Sequence, residues 1–445
     1  MKLKFALIVS TAVAFTSCKP KLDADTPEKG SMDPTRFVAL GGSTTAGFAD
    51  GALYAEGQEY SVGNILATQF QLVGGGSFLQ PLMPSSSVGI GFTGKSKSIL
   101  GYKTDCTGAT SLSPIPFNAA GGDLVGLGTS VYSSPFNNMG VPGLSSNEMY
   151  YPGYGNPANG VGNYNPFFAR MASNPATSTV LSDAVAANPT FFSLNIGEQD
   201  ILNYALNGGG AAVINPVNGA AGIGFDGSIT TAVTTLSANG AKGVIGNIPD
   251  VTLYPFFNTI PYNGLKLDVA TAQLLTNALG QQGMSFAEGN NAFVIQDNSL
   301  PLGARQMKPG EYILLSIPLD SVKCNKMGSL IPIPERYVLT LEEVANIKAA
   351  TNAYNGVISQ VASTYGLALA DVNTFLKSVK TGVIFNGIGL NANFVSGGTF
   401  SLDGIHLNPI GNAMVSNVFI KAINKTFGST IPQVDATKYR GVKFP

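Results

Sequence analysis

The chain holds a single imidazole, His406, and a carboxylate lies three residues before it, in Ser401-Leu402-Asp403-Gly404-Ile405-His406. One turn of chain can bring those two side chains together. A carboxylate that orients one ring nitrogen leaves the other free to take a proton from a hydroxyl, which is what ester hydrolysis needs. Acidic residues fill 26 of 445 positions, so an acid at that one offset arises by chance about once in seventeen (445/26). The spacing alone points to general-base chemistry but leaves open a packing or surface role for a lone histidine. A second candidate is Gly89-Ile90-Gly91-Phe92-Thr93-Gly94-Lys95-Ser96, which fits the P-loop pattern and contains Gly-x-Gly-x-x-Gly. Its context argues against phosphate binding. Met83-Pro84-Ser85-Ser86-Ser87 is no buried strand, and on the C-terminal side Gly101 and Gly108 interrupt the chain before a helix could form. A surface loop is expected there.

Composition narrows the partners. Twenty-five basic against 26 acidic residues give a net charge of −1, with no electrostatic footprint for a polyanion, so nucleic acid is not expected as a partner. An apolar content of 44% supplies a sizeable core, and only 11% of residues are charged. Lys2 and Lys4 precede an apolar run, Phe5 to Phe15, too short to span a bilayer. Residues 1–17 read as a signal peptide. Phe15-Thr16-Ser17-Cys18 resembles the bacterial lipobox, with Phe15 in place of the usual Leu, which implies acylation of Cys18 and a tether over 18–35. The expectation is an exported lipoprotein of the bacterial envelope. Lys19 after the cysteine favours the outer membrane. Of the remaining cysteines, Cys106 and Cys324 could form one disulfide in an oxidising compartment, a pairing the sequence leaves open. One histidine and two cysteines are too few for an ordinary zinc ligand set, and no metal or organic cofactor is expected.

Apolar runs at Arg36 to Leu40, Thr190 to Ile196, Gly243 to Ile248 and Leu367 to Val372 read as strands ending near Gly, Pro or Asn. Helical patterns lie between them. Thr340 and Glu343 form a capping box before Val344, Ile347, Tyr354, Ile358 and Val361; another pattern runs from Leu267 to Leu279; and Asn408-Pro409 opens the last, through Val415, Phe419 and Ile423. This alternation implies an α/β fold with a parallel sheet covered on both faces. Residues 36–445 are expected to form one domain, with insertions near 74–135, 208–224 and 291–334. The last is expected to hold a hairpin around Tyr312 to Pro318.

With these elements in place, four segments resemble the ordered blocks of the SGNH/GDSL hydrolase family, over roughly Phe37 to Asn424. Gly41-Gly42-Ser43-Thr44 matches the first block and implies Ser43 as nucleophile. Asn138-Met139-Gly140-Val141-Pro142-Gly143 resembles the second and implies an oxyanion-binding N–H on Gly143. Gly197-Glu198-Gln199-Asp200 resembles the third, with Gln199 where the family carries an oxyanion-binding asparagine. Asp403-Gly404-Ile405-His406 matches the last, implying His406 as base and Asp403 as its orienting acid. Gly42 replaces the family's acidic residue beside the serine. The resemblance implies a three-layer flavodoxin-like fold and an acyl-enzyme mechanism with the Ser43 N–H, Gly143 N–H and Gln199 amide around the oxyanion. The implied substrates are an ester-bearing lipid or an acylated glycan. A non-catalytic module for glycan binding or envelope assembly on the same fold is the alternative.

Overall fold

Residues 26–210 and 212–445 are described by a computed structural model, so the expected signal peptide and Cys18 lie outside the described residues. Short apolar runs form the centre: β1 (Phe37–Gly41), β2 (Asn138–Gly140), β3 (Phe191–Asn195), β4 (Lys242–Gly246) and β5 (Ala368–Ala370). All pair in parallel, in the order β2-β1-β3-β4-β5. Every residue of β1 is buried, as expected of a sheet with both faces covered. The order is compatible with a flavodoxin-like arrangement, in which the winding reverses between β1 and β3 and ligands bind beyond the strand ends at that point.

β2 is not among the strands that the apolar runs of the sequence announce. It is three residues long and starts with a polar side chain, so no apolar period announces it. Asn138 is buried nonetheless because its amide is satisfied, donating to Thr45 O at 3.1 Å and to Gln80 Oε1 at 3.0 Å. The β5 run is shorter than expected, since Asp371 caps a helix that takes over at Val372–Thr381.

Seven helices matter for the site and its support: α1 (Ser43–Ala46), α2 (Val62–Gln71), α3 (Val180–Ala186), α4 (Glu198–Leu206), α5 (Phe225–Ser237), α6 (Leu341–Tyr365) and α7 (Pro409–Phe427). On one face, Phe37 and Phe191 of the sheet meet Phe70 of α2 edge-on at 4.8 and 5.6 Å between ring centroids, and Phe191 meets Phe427 of α7 at 5.6 Å. α3, α5 and α6 cover the other face, where Phe225 stacks on Tyr354 at 3.8 Å. α6 begins at the expected capping box, Thr340 N donating to Glu343 Oε2 at 2.6 Å. α7 begins at Asn408, whose side chain accepts from Gly411 N at 3.0 Å.

Two expectations are corrected outside the sheet. The helix at Val269–Leu279 is real but does not cover the sheet; its Ala272 and Leu275 pack in a separate small core with Met284, Phe286, Val294 and Ala304. Helical periodicity reports an apolar face and not its partner. The insertion therefore starts well before residue 291. Within it, Tyr312–Ile313 pairs with Val338–Leu339 rather than turning back on itself before Pro318. The described part of the expected tether is docked on the body: Met32 is buried, Glu28 N donates to Thr430 Oγ1 at 2.8 Å, and Ser31 N donates to Phe427 O at 2.9 Å. No helix among the described residues is long and apolar enough to cross a membrane.

Within the first insertion, Ser98–Thr104 and Thr110–Pro116 form an antiparallel hairpin. Its base is tied to the site region by Ser98 N donating to Asp50 O at 2.8 Å. The later insertion is tied to the other side of the same region, where Phe256 N donates to Gly404 O and Leu315 N to Phe256 O, each at 2.9 Å. At their far ends the two insertions meet: Cys106 and Cys324 stand at disulfide distance with Cα atoms 6.4 Å apart, beside a Lys323–Asp105 ion pair of 2.6 Å. A bond there closes a separation of 218 residues. Replacing both cysteines by serine is expected to lower stability by about 2–4 kcal/mol, read as a shift of the urea midpoint. Reductant should shift the wild type equally and leave the double variant unmoved.

Candidate active site

The site is assembled where β1 and β3 end. Gly42 N donates to Asn195 O at 3.2 Å and Val141 N to Gly41 O at 2.9 Å, so the turn carrying Ser43 is joined to both neighbouring strands. Ser43 is the first residue of α1, which lasts one turn before Gly47 ends it in the left-handed region. The approach is close: a Cβ at Gly140 would lie 2.2 Å from Ala46 N, so β2 can reach α1 only with glycine there. Beyond β2, Gly143 adopts φ +78°, which aims its N–H at Ser43 Oγ, 3.4 Å away.

His406 arrives from the opposite end of the chain on the tight turn before α7, closed by Ser401 N donating to His406 O at 2.8 Å. Its Nδ1 lies 2.8 Å from Asp403 Oδ2. An ionised carboxylate only accepts, so Nδ1 carries the proton and Nε2 presents its lone pair. Asp403 is further held by Ile405 N and His406 N at 2.8 Å and Ser401 Oγ at 3.0 Å on Oδ1, and by Gly51 N at 2.8 Å on Oδ2. Burial opposes charge on this carboxyl, but the facing imidazole and the donated N–H groups outweigh it and hold Asp403 down to about 2. Burial likewise opposes charge on His406, and the Asp403 carboxylate, helped by Glu198 and Asp50, outweighs it and raises the imidazole above its ordinary value.

Ser43 and His406 line one pocket with Gly42, Thr44, Leu144, Asn195, Ile196, Gly197, Glu198, Gln199 and Leu202. The sequence candidates Ser43, Asp403, His406, Gly143 and Gln199 thus come together at the sheet edge; Cys18 lies outside the described residues. Two contacts that the sequence resemblance implies are not made. Among the described residues no hydrogen bond joins the Ser43 hydroxyl to the His406 ring, and the Gln199 amide donates to Asn203 Oδ1 at 2.6 Å, one turn along α4, rather than into the pocket.

Several residues that build the site are given no role by the sequence. Asp50, in a left-handed conformation at φ +54°, accepts from Leu402 N at 3.0 Å and from Tyr54 OH at 2.6 Å, while its own N–H donates to Ser401 Oγ at 2.9 Å. It fastens the loop after α1 to the Asp403 turn, and no local signal announces it. Glu198 accepts from Tyr254 OH at 2.6 Å at the pocket wall, and burial pushes its carboxyl up. Asp200, at the end of the Gly197-Glu198-Gln199-Asp200 motif, accepts from Ser146 N at 2.8 Å, Ser146 Oγ at 2.5 Å and Asn215 Nδ2 at 2.6 Å. It thereby anchors the segment just beyond Gly143.

Such an arrangement can deprotonate a hydroxyl through the imidazole and stabilise the resulting imidazolium through the carboxylate. Compared with protein families and with curated proteins, the chain finds no match.

Burial raises Asp200 to about 6 despite its three donors. A carboxyl raised in the folded state binds its proton more tightly than in the unfolded chain, so its contribution to stability is present below pH 3.8 and is lost as pH climbs through about 6. Asp200→Asn should therefore abolish a fall in stability of about 1–3 kcal/mol between pH 4 and pH 6, measured by urea unfolding of both proteins across that range.

Proposed function

We propose that the chain is a serine ester hydrolase of SGNH/GDSL type, in which Ser43 attacks an ester carbonyl, His406 takes its proton and Asp403 stabilises the imidazolium. The observation that carries this reading is the Asp403–His406 pair at 2.8 Å, opening on the pocket that Ser43 lines with the Gly143 N–H directed at its oxygen. In the first half-reaction the Ser43 oxygen bonds to the carbonyl carbon, and the carbonyl oxygen, now negative, is met by the N–H groups of Ser43 and Gly143. Collapse expels the alcohol, protonated by His406, and leaves an acyl-Ser43 ester. Water, deprotonated by the same imidazole, then releases the carboxylic acid and restores the hydroxyl. Gln199 joins the oxyanion donors by turning its amide from Asn203 into the pocket. The substrate is an ester-bearing lipid or an acylated glycan, as the family resemblance implies, reached from the envelope lipid anchor that the N-terminal sequence suggests.

One observation favours a second reading, a non-catalytic binding module on the same fold: the Gln199 amide is engaged by Asn203. That reading calls for no ester turnover. The hydrolase reading calls for turnover of a p-nitrophenyl ester that disappears in Ser43→Ala while circular dichroism is unchanged. His406 must be neutral to accept a proton, and its pKa is raised, so kcat/KM should fall on the acid side with a midpoint above 6.5. Asp403→Asn removes the group that raises it; the limb should move to lower pH and kcat should drop by about 10²–10⁴. Gln199→Ala should lower kcat by about 10²–10³, and an unaltered kcat would reduce the oxyanion donors to the two backbone groups.

A further inference from the structure

The Gly89–Ser96 segment, with its P-loop spacing, leads into the strand Ser98–Thr104 and not into a helix, so no helix N-terminus stands ready for phosphate. What it does present is Phe92. The loop is a built turn: Leu53 and Ile90 exchange backbone hydrogen bonds at 2.9 and 3.1 Å, Gly91 N donates to Lys95 O at 2.9 Å, Gly94 N to Gly91 O at 3.0 Å, and Gly122 N to Gly94 O at 2.8 Å. At its tip Phe92 is 57% exposed. Two buried rings support it from beneath, Phe48 at 5.3 Å and Phe167 at 5.1 Å.

The position of that ring is the telling feature. Phe48 lies edge-on to His406 at 4.9 Å, so one ring separates Phe92 from the imidazole. On the other side, a Cβ added to Gly143 would come within 2.9 Å of two Phe92 ring carbons. Gly143 is the residue whose N–H points at Ser43 Oγ. An apolar face held by backbone bonds therefore begins next to Gly143 and Ser43, beside a pocket that Leu144, Ile196 and Leu202 line together with the polar Ser43, Asn195, Glu198 and Gln199. Binding sites combine an apolar surface with a few polar groups that fix orientation, and this ring adds exposed apolar surface beside the pocket.

We propose that Phe92 is a substrate-binding, specificity-determining residue that covers an apolar alkyl or aryl substituent of the ester, from either its acyl or its alcohol side. The inference rests on the ester hydrolase reading above. Phe48 and Phe167 are positioning residues that hold the Phe92 ring against Gly143. The Gly-rich spacing serves the tight turn that lifts the ring to the pocket rim.

The test compares wild type, Phe92→Ala and Phe92→Leu on two substrate series. One keeps p-nitrophenol as the alcohol and lengthens the acyl group from acetate to octanoate; the other keeps acetate and lengthens the alcohol from methanol to hexanol. In one of the two, the long-to-short ratio of kcat/KM should fall about tenfold in Phe92→Ala, and Phe92→Leu should keep most of the ratio because an apolar surface remains. The series that responds identifies the side Phe92 covers. Ratios equal to wild type in both series overturn the proposal. Binding of the octanoyl ester to Ser43→Ala, with and without Phe92→Ala, separates this inference from the hydrolase reading. Weaker binding without the ring supports it even where the serine chemistry fails, and equal binding counts against it.

Discussion

The carboxylate of Asp403 is the point on which the site depends. Five donors converge on its two oxygens, from Gly51 N, Ile405 N, His406 N, Ser401 Oγ and His406 Nδ1. A buried charge is tolerated only when it is satisfied in this way. Four of the donors belong to its own turn, but Gly51 comes from the loop just after α1, 352 residues earlier. The same carboxylate therefore orients the imidazole and ties the segment carrying Ser43 to the segment carrying His406. Asp50 strengthens that tie in the opposite sense, accepting from Leu402 N with its own side chain. Removing either acid would loosen the register between the two halves of the site as well as alter its charge.

Around this tie the sheet and the insertions have separate tasks. The parallel sheet brings the ends of β1 and β3 side by side, and backbone bonds from Gly42 and Val141 fix the Ser43 turn between its neighbours. The insertions attach at the rim, one at Asp50 and the other at Gly404, and meet at Cys106 and Cys324. They bracket the Asp403 turn without contributing to the sheet. In a chain with few charges, this rim is held by backbone hydrogen bonds, and Cys106 and Cys324 stand at disulfide distance across it. The Gly-rich loop at 89–96 belongs to the same rim and sets an aromatic ring beside Gly143.

The degree to which the site is legible in the sequence varies with the range of the interaction. Asp403 and His406 are three residues apart, and their pairing is visible because local chain geometry nearly enforces it. The capping residues Thr340 and Asn408 are visible for the same reason. Periodicity locates four of the five central strands, yet it gives the helix at Val269–Leu279 the wrong partner, since an apolar stripe does not say which surface it will cover. β2 escapes because its length and its buried Asn138 carry no apolar period. The roles of Asp50, Asp200 and Phe92 escape because most of the partners that define them lie tens to hundreds of residues away in the chain.

By itself, then, the sequence determined the α/β alternation, the pairing of an acid with the lone imidazole, and the turn on which Ser43 sits. Each depends on neighbours within a few residues. Tertiary structure alone decided that Ser43 and His406 line one pocket with the Gly143 N–H facing the Ser43 oxygen, that Cys106 can reach Cys324, and that the Gln199 amide turns toward Asn203. Local propensity is written in adjacent residues, whereas the meeting of distant side chains is set by how the sheet is ordered and how its core packs.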